Sequence, residues 1–152
     1  MAEGKKIIAI NRKARHEYSI EENYEAGLVL VGSEVKALRE GQVNFKDGYV
    51  RISNGEAFLV GVHISPYLYS HQFNHLAERE RKLLLHKQEI QRLNGKVREK
   101  GLTLVPLQFY FIKGRVKLEL GLARGKKSFD RREDLKTRDA EREMAQVMKA
   151  RR

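Results

Sequence analysis

The stretch from Gly114 to Glu133, GRVKLELGLARGKKSFDRRE, decides how the rest of the sequence is interpreted. Its first half alternates apolar and polar residues, as a β-strand with one buried face does. The alternation stops at Arg124, and the residues that follow are too polar to form a core. We therefore predict a folded body over residues 1–124 and a basic tail, flexible when free, over residues 125–152. The alternating apolar residues are Val116, Leu118, Leu120 and Leu122.

The size and charge of the chain limit what it can do. Its 152 residues suffice for one domain with a hydrophobic core. A formal net charge of +11 favours phosphate-rich partners, of which nucleic acid is the first candidate. No apolar run approaches the roughly 20 residues needed to span a membrane, and no apolar targeting segment is visible. The chain has no cysteine, and we expect a cytoplasmic protein without disulfides.

Short strands dominate the predicted secondary structure. Asn54-Gly55 stands between two alternating runs and predicts a tight hairpin, because both turn positions need positive φ. A strand over 102–112 is broken in register at Pro106, and its side chains at Leu107, Phe109 and Phe111 are expected on one face. A turn at Lys113-Gly114 then joins it to the last strand of the body, which gives a final hairpin.

Two helices complete the predicted fold. The shorter runs from Ser33, as N-cap, to Glu40, with Gly41 as its C-terminal glycine. The longer runs from Lys87 to Lys100 and ends at Gly101. A mainly β fold with one short and one longer helix favours an oligonucleotide-binding-type antiparallel β-barrel, whose openings the helices would cover.

Patterns that would indicate an enzyme are absent from the sequence. The run from Gly121 to Ser128 looks like a phosphate-binding loop, but it has three residues between its glycines instead of four, and Lys127 separates Lys126 from the serine. His71 and His75 are four apart, yet the chain offers no cysteine and no clear third ligand for a metal. We therefore expect no catalytic residues, no metal site and no cofactor.

The basic segments are the candidate binding elements. In the segment 11–16, Arg12, Lys13 and Arg15 would contact phosphates while Asn11 or His16 reads a base, although a solvated surface cluster explains the same residues. The tail from Lys126 onward holds ten basic residues against six acidic ones and contains good helix formers, so it could become helical on an RNA surface. Phe129, isolated among charges, would be its stacking residue.

The chain contains the motifs NRKARH at 11–16, YEAGL at 24–28, GSEVKALR at 32–39, RKLLLH at 81–86, GLARGKK at 121–127 and DRR at 130–132. These motifs, in this order along almost the whole chain, resemble the small protein B family of SsrA (tmRNA)-binding proteins. The resemblance implies a barrel that binds the tRNA-like domain of tmRNA and delivers it to stalled ribosomes in trans-translation, as a non-enzymatic adaptor. It also implies partners in small-subunit ribosomal RNA and in elongation factor Tu with aminoacylated tmRNA.

The resemblance further implies roles for individual residues. In the body, the tmRNA-facing set would be Asn11, Glu25, Glu34, Lys36, Arg39, Leu84 and His86. In the tail, the set that enters the decoding centre and message channel, where the tail becomes helical, would include Lys126, Lys127, Phe129, Asp130, Arg131, Arg132, Asp134, Lys136 and Arg138.

Some features of the resemblance leave alternatives open. His86 stands where some members have Asn, Phe129 where Tyr or His is common, and Thr137 where an acid is common. Carboxylates seldom face a phosphate backbone, so Glu25 and Glu34 either contact RNA or orient neighbouring basic groups. The charge and the barrel pattern also fit a constitutive ribosomal protein or a general RNA chaperone.

Overall fold

The structure is a computed structural model that describes residues 4–67 and 74–126. These residues form nine strands and three α-helices. In chain order the elements are β1 (Lys6–Ile10), α1 (Arg12–Glu17), β2 (Tyr18–Leu28), α2 (Gly32–Arg39), β3 (Val43–Asn44), β4 (Tyr49–Ser53), β5 (Glu56–Val60), β6 (His63–Ile64), β7 (Arg81–Leu84), α3 (Lys87–Lys100), β8 (Thr103–Ile112) and β9 (Arg115–Gly125).

Seven of the strands form one antiparallel sheet in the order β1-β8-β9-β2-β7-β5-β4, and β3 and β6 form a separate two-stranded ribbon. The predicted mainly β, antiparallel class is confirmed. The pairings of the described strands leave β1 and β4 as edges and do not close a barrel, although β4 also lies against β8. The sheet therefore curls back on itself, and its concave side encloses the main core.

The hairpin of β8 and β9 forms as predicted, with Lys113 and Gly114 at φ values of 50° and 75° in its turn. The register shifts between Pro106 and Gln108, because proline cannot donate to the ladder. This irregularity corrects one expectation. Leu107 packs in a small cluster apart from Phe109, which lies in the main core, so the two side chains do not share a face.

The main core lies between the sheet and the helices α2 and α3. Leu38 of α2, Leu93 of α3 and Leu118 of β9 are all fully buried there. Phe45 and Phe109 stack with their ring centroids 5.4 Å apart. The smaller cluster lies under α1 and consists of Ala14, Val105, Leu107 and Ala123.

Helix α2, Gly32–Arg39, begins and ends one residue earlier than the predicted Ser33–Glu40, and Gly41 follows it as predicted. Its N-cap is Val31, whose N–H donates to the Glu34 carboxylate at 3.0 Å. The prediction of Ser33 as N-cap was wrong, because its hydroxyl is instead buried and 2.8 Å from Nδ1 of His75. Gly41 has the predicted left-handed conformation, with φ of 72°.

Helix α3 has the predicted limits and is tied to the sheet by charge. It ends at Gly101, whose φ is 63°. Arg92 and Lys96, one helical turn apart, both donate to the Glu22 carboxylate of β2, at 2.8 and 2.7 Å. The hydrogen bond from Lys96 contributes most to lowering the pKa of Glu22, and those from Tyr24 and Arg92 add to it. Together they bring this pKa to about 2.

Two elements, α1 and β7, form in stretches for which no helix or strand was predicted. Strand β7 alternates inward Arg81 and Leu83 with outward Lys82 and Leu84, and Arg81 is fully buried.

At the other end of the body, β9 continues through Gly125, and the N–H of Lys126 donates to the carbonyl of Glu17 at 2.9 Å. The ordered pairing thus extends past residue 124, the predicted limit of the body.

Candidate nucleic-acid interface

Two adjoining cavities form a groove at one end of the sheet. Their volumes are about 330 and 390 Å³, and they share Gly27, Leu84 and Lys117. We call this surface the Leu84 groove. The first cavity is lined by Gly27, Leu28, Leu30, Val35, Leu84, Gly114, Arg115, Val116 and Lys117, and the second by Glu25, Gly27, Leu84, Leu85, His86, Glu89 and Lys117.

Leu84 stands between the two cavities and remains 53% exposed. Its outward direction follows from the alternation of β7, which buries Arg81 and Leu83. Gly27 is its partner on β2, and a Cβ there would lie 3.3 Å from Cβ of Leu84. A glycine at this position therefore keeps the floor of the groove open on both sides of Leu84.

His86 and Glu25 both line the second cavity. These two members of the predicted tmRNA-facing set therefore lie close together, as residues of one site must. His86 is the exposed N-cap of α3, and its N–H donates to Glu89 at 3.1 Å. The helix thus presents the positive end of its dipole beside the cavity. Glu25 accepts a hydrogen bond from the Tyr110 hydroxyl at 2.6 Å, and burial together with that bond raises the pKa of Tyr110.

Helix α2 borders the groove through Val35, and its exposed cations lie on aromatic rings. The Lys36 ammonium is 5.6 Å from the ring centroid of Tyr67, and the Arg39 guanidinium is 5.9 Å from that of Phe111. Such contacts restrict the side chains while leaving their charge available. Lys36 and Arg39 therefore lie on the helix that borders the groove, although Val35 is the α2 residue that lines it.

Glu34, predicted in the same set, is fully buried. One of its oxygens accepts from Arg79 and the other from Nε of Arg81 at 2.6 Å. Arg81 also donates to the carbonyls of Val62 and Ala77, at 2.7 and 2.9 Å. Burial raises the pKa of the Glu34 carboxyl, but the hydrogen bonds from these partners outweigh burial and hold that pKa below its ordinary value. The carboxylate orients basic groups and holds the start of α2.

The residues of the segment 11–16 lie at the other end of the β2–β9 ladder. Gly27 pairs with Lys117 at the groove, whereas Tyr18, next to α1, pairs with Gly125. On β9 the two positions are eight residues apart, which is about 26 Å of strand. The structure therefore separates the predicted body set into two surfaces.

Of the α1 set, Arg12, Lys13 and Arg15 are exposed, and Asn11 is buried. Lys13 pairs with Asp47 at 2.7 Å and Arg15 with Glu119 at 3.4 Å. An open cavity of about 650 Å³ lies beside the start of α1 and reaches Lys46 and Asp47. The predicted phosphate contacts of these cations stay a prediction.

Most of the predicted tail set lies outside the described residues: Lys127, Phe129, Asp130, Arg131, Arg132, Asp134, Lys136 and Arg138. Lys126 is the described member, and it contacts α1. Three further residues of the groove were not predicted as site residues: Arg115 and Lys117 of its rim and Gly27 of its floor. The alternation of β9 was the available signal, since it places Lys117 on the face opposite Val116 and Leu118.

Among residues 4–67 and 74–126, no three histidine, cysteine or acidic side chains are grouped so that they could hold a metal ion. The imidazole of His75, considered above as a ligand, lies between the Ser33 hydroxyl and the Ile64 carbonyl, each 2.8 Å from a ring nitrogen. In the same residues, no helix is long and apolar enough to cross a bilayer.

A curled antiparallel sheet with a basic-rimmed groove defines the class of small β proteins that are equipped to bind nucleic acid. The family model described as "SmpB protein" matches residues 8–150. The chain belongs to this family.

Three SsrA-binding proteins illustrate the relationship. That of Symbiobacterium thermophilum is 59% identical over 145 residues, covering 95% of this chain and 92% of the relative. That of Desulforudis audaxviator is 58% identical, covering 95% of each chain. That of Thermosynechococcus vestitus is 57% identical over 152 residues, covering 99% of this chain and 100% of the relative.

A solved structure gives the same result. The chain is similar to a chain of the structure described as "tmRNA-SmpB: a journey to the center of the bacterial ribosome". The TM-score is 0.67 at 53% identity, and the match covers 79% of this chain and 85% of the other. The similarity thus holds in both sequence and fold.

Proposed function

We propose that this protein is a tmRNA-binding adaptor of trans-translation, which brings tmRNA to stalled ribosomes. The Leu84 groove carries the proposal, because it joins an exposed apolar side chain to the cations Arg115 and Lys117 of its lining. The names of the relatives, SsrA-binding protein, support tmRNA as the RNA. Their similarity over nearly the whole chain makes a shared partner the simplest explanation.

Each part of the groove has a distinct task in this proposal. Leu84 packs against a base or sugar of the RNA, and the cavity beside His86 receives the adjoining nucleotide. Lys36, Arg39 and Lys117 contact phosphates, which position the RNA without reading its sequence. Glu25 and Glu34 orient neighbouring groups and do not contact RNA.

The tail supplies the contact with the ribosome. Its ten basic residues and its helix-forming composition suit a segment that folds on ribosomal RNA in the decoding centre and message channel. Phe129 stacks there, and Lys127, Arg131 and Arg132 meet phosphates. Elongation factor Tu accompanies the aminoacylated tmRNA. The protein acts by binding in the cytoplasm and catalyses no reaction.

Co-purified RNA tests the proposal directly. The protein should be isolated from cells under mild conditions and its bound RNA sequenced. One dominant species, tmRNA, is expected. In a binding assay, Lys117→Ala should lower the slope of log affinity against log salt concentration by about one, as the loss of one phosphate contact does. Recovery of bulk RNA in proportion to its abundance would contradict the adaptor role and favour a general RNA chaperone.

Truncation separates the two parts of the protein. Removal of residues 127–152 should leave the tmRNA dissociation constant within about threefold, because the groove is intact and few phosphate contacts are lost. The same truncation should abolish peptide tagging on stalled ribosomes in a reconstituted translation system. If truncation abolished tmRNA binding, the assignment of RNA binding to the body would be wrong.

A further inference from the structure

We infer that α1 is a socket that sets the direction in which the C-terminal tail leaves the body, and that Asn11 is the positioning residue of this socket. The inference rests on the proposed function, in which the tail must reach the ribosome while the body holds tmRNA. It assigns Asn11 a different role from the base reading that the sequence suggested. Three structural observations lead to it.

The first observation is that both polar atoms of the Asn11 side chain are hydrogen-bonded inside the protein. Its amide Nδ2 donates to the Pro106 carbonyl at 2.8 Å, and its Oδ1 accepts from the Ala14 N–H at 3.1 Å. Its backbone N–H donates to Leu107 at 2.7 Å. Asn11 is 6% exposed. A side chain placed in this way fixes the start of α1 to the irregular part of β8 and has little surface left for RNA.

The second observation is that the other end of α1 holds the start of the tail. The N–H of Lys126 donates to the Glu17 carbonyl, and its ammonium lies 3.4 Å from the Arg15 carbonyl. The last carbonyls of a helix lack partners within the helix and attract cations. Lys126 satisfies two of them, so this residue, the last one that the structure describes, is held at the C-terminal end of α1.

The third observation is that α1 is too short to be stable alone. It has six residues, about 9 Å of helix, and isolated helices of this length do not persist in water. Its buried contact with the sheet is small, with Ala14 packed on Val105, Leu107 and Ala123. The hydrogen bonds of Asn11 therefore decide whether α1 is formed. Loss of α1 would release Lys126 and widen the range of directions that the tail can take.

The absence of cysteine makes this direction measurable. Ser53→Cys on the exposed hairpin of β4 and β5 and Ser128→Cys, two residues beyond Lys126, provide one label each. Pulsed electron spin resonance then gives the distance distribution between them. Asn11→Ala should widen this distribution at least twofold, and Asn23→Ala, an exposed asparagine of β2, should leave it unchanged.

Two functional measurements distinguish a socket from an RNA contact. Asn11→Ala should lower the rate of tagging on stalled ribosomes roughly tenfold while tmRNA affinity stays within about twofold. Lys126→Pro, which removes the N–H to Glu17 without touching the core, should reproduce the wider distance distribution, whereas Lys126→Ala, which loses the same ammonium but keeps the N–H, should not. Lys126→Pro also serves as the second test if Asn11→Ala unfolds in a thermal melt.

The opposite pattern would overturn the inference. A loss of tmRNA affinity with an unchanged distance distribution would make Asn11 an RNA contact. Wild-type widths in Asn11→Ala and Lys126→Pro, with a wild-type tagging rate in Asn11→Ala, would show that α1 does not direct the tail. If the wild-type protein failed to bind tmRNA, the proposed function would be wrong, whereas the distance measurement would still decide whether α1 holds the tail.

Discussion

The two ends of the β2–β9 ladder are held by different chemistry. At the Leu84 groove, the start of α2 depends on the buried charges of Glu34 and Arg81, both fully inaccessible to water. At the α1 end, the fold depends on the neutral hydrogen bonds of Asn11 and on small apolar side chains. Removing one partner of a buried ion pair costs about 3–5 kcal/mol, whereas leaving a buried neutral group unpaired costs about 1–3 kcal/mol. The groove end should therefore lose more stability than the α1 end when one partner is removed.

The largest effect should follow from Glu34→Ala, which leaves Arg81 buried without its counter-charge. The free energy of unfolding should fall by about 3–5 kcal/mol, measured by denaturant titration. Glu56→Ala removes an exposed pair with Lys82 and should cost less than about 1 kcal/mol. If the two variants lost similar stability, the buried pair would not be what fixes the groove end.

A smaller effect is expected for Leu84→Ala, on binding and not on stability. The side chain is half exposed, so its removal should change the free energy of unfolding by less than about 1 kcal/mol. The tmRNA dissociation constant should rise roughly tenfold if Leu84 packs against a base. Leu76→Ala, at an 80% exposed leucine outside the groove, is the matched control for a filter-binding assay and should have no effect. If both variants bound tmRNA with equal affinity, Leu84 would not be part of the interface.

The smallest effect concerns acid and the attachment of α3, whose N-terminus borders the groove. Because the pKa of Glu22 falls from 4.5 to about 2 on folding, its bonds to Lys96 and Arg92 contribute stability above pH 4.5. That contribution should be lost as the pH falls from 4.5 to 2. In Glu22→Gln the pH dependence of unfolding should be flatter over this interval. An identical acid profile for wild type and variant would show that Glu22 gains nothing from these partners.

The sequence was sufficient to predict those elements whose conformation depends on residues close to one another along the chain. Alternation gave the β8–β9 hairpin, and the limits of α3 followed from apolar spacing and Gly101. The Asn54-Gly55 turn has the positive φ values, 52° and 74°, that its residues require. The family motifs also selected Glu25, Leu84 and His86, which the structure brings together at one cavity.

Elements that depend on distant partners were missed or misplaced. The inward face of β7 begins with an arginine, which is recognisable as a core residue only once Glu34, 47 residues away, is known to face it. The start of α1 needs Pro106 and Leu107 for its hydrogen bonds. Ser33 was assigned as a cap because its partner, His75, lies 42 residues further along the chain. Pairing across the fold, which one sequence does not reveal, decided each case.

The position of β9 has a consequence for how the protein folds during its own synthesis. β2 is central in the sheet, and its partners on β9 lie roughly a hundred residues further along the chain. The long ladder between them cannot form until β9 has left the ribosome, and such distant pairings close slowly. A nascent chain cut short before β9 would lack the strand that joins β2 to β8. Synthesis must therefore pass β9 before the seven-stranded sheet can form.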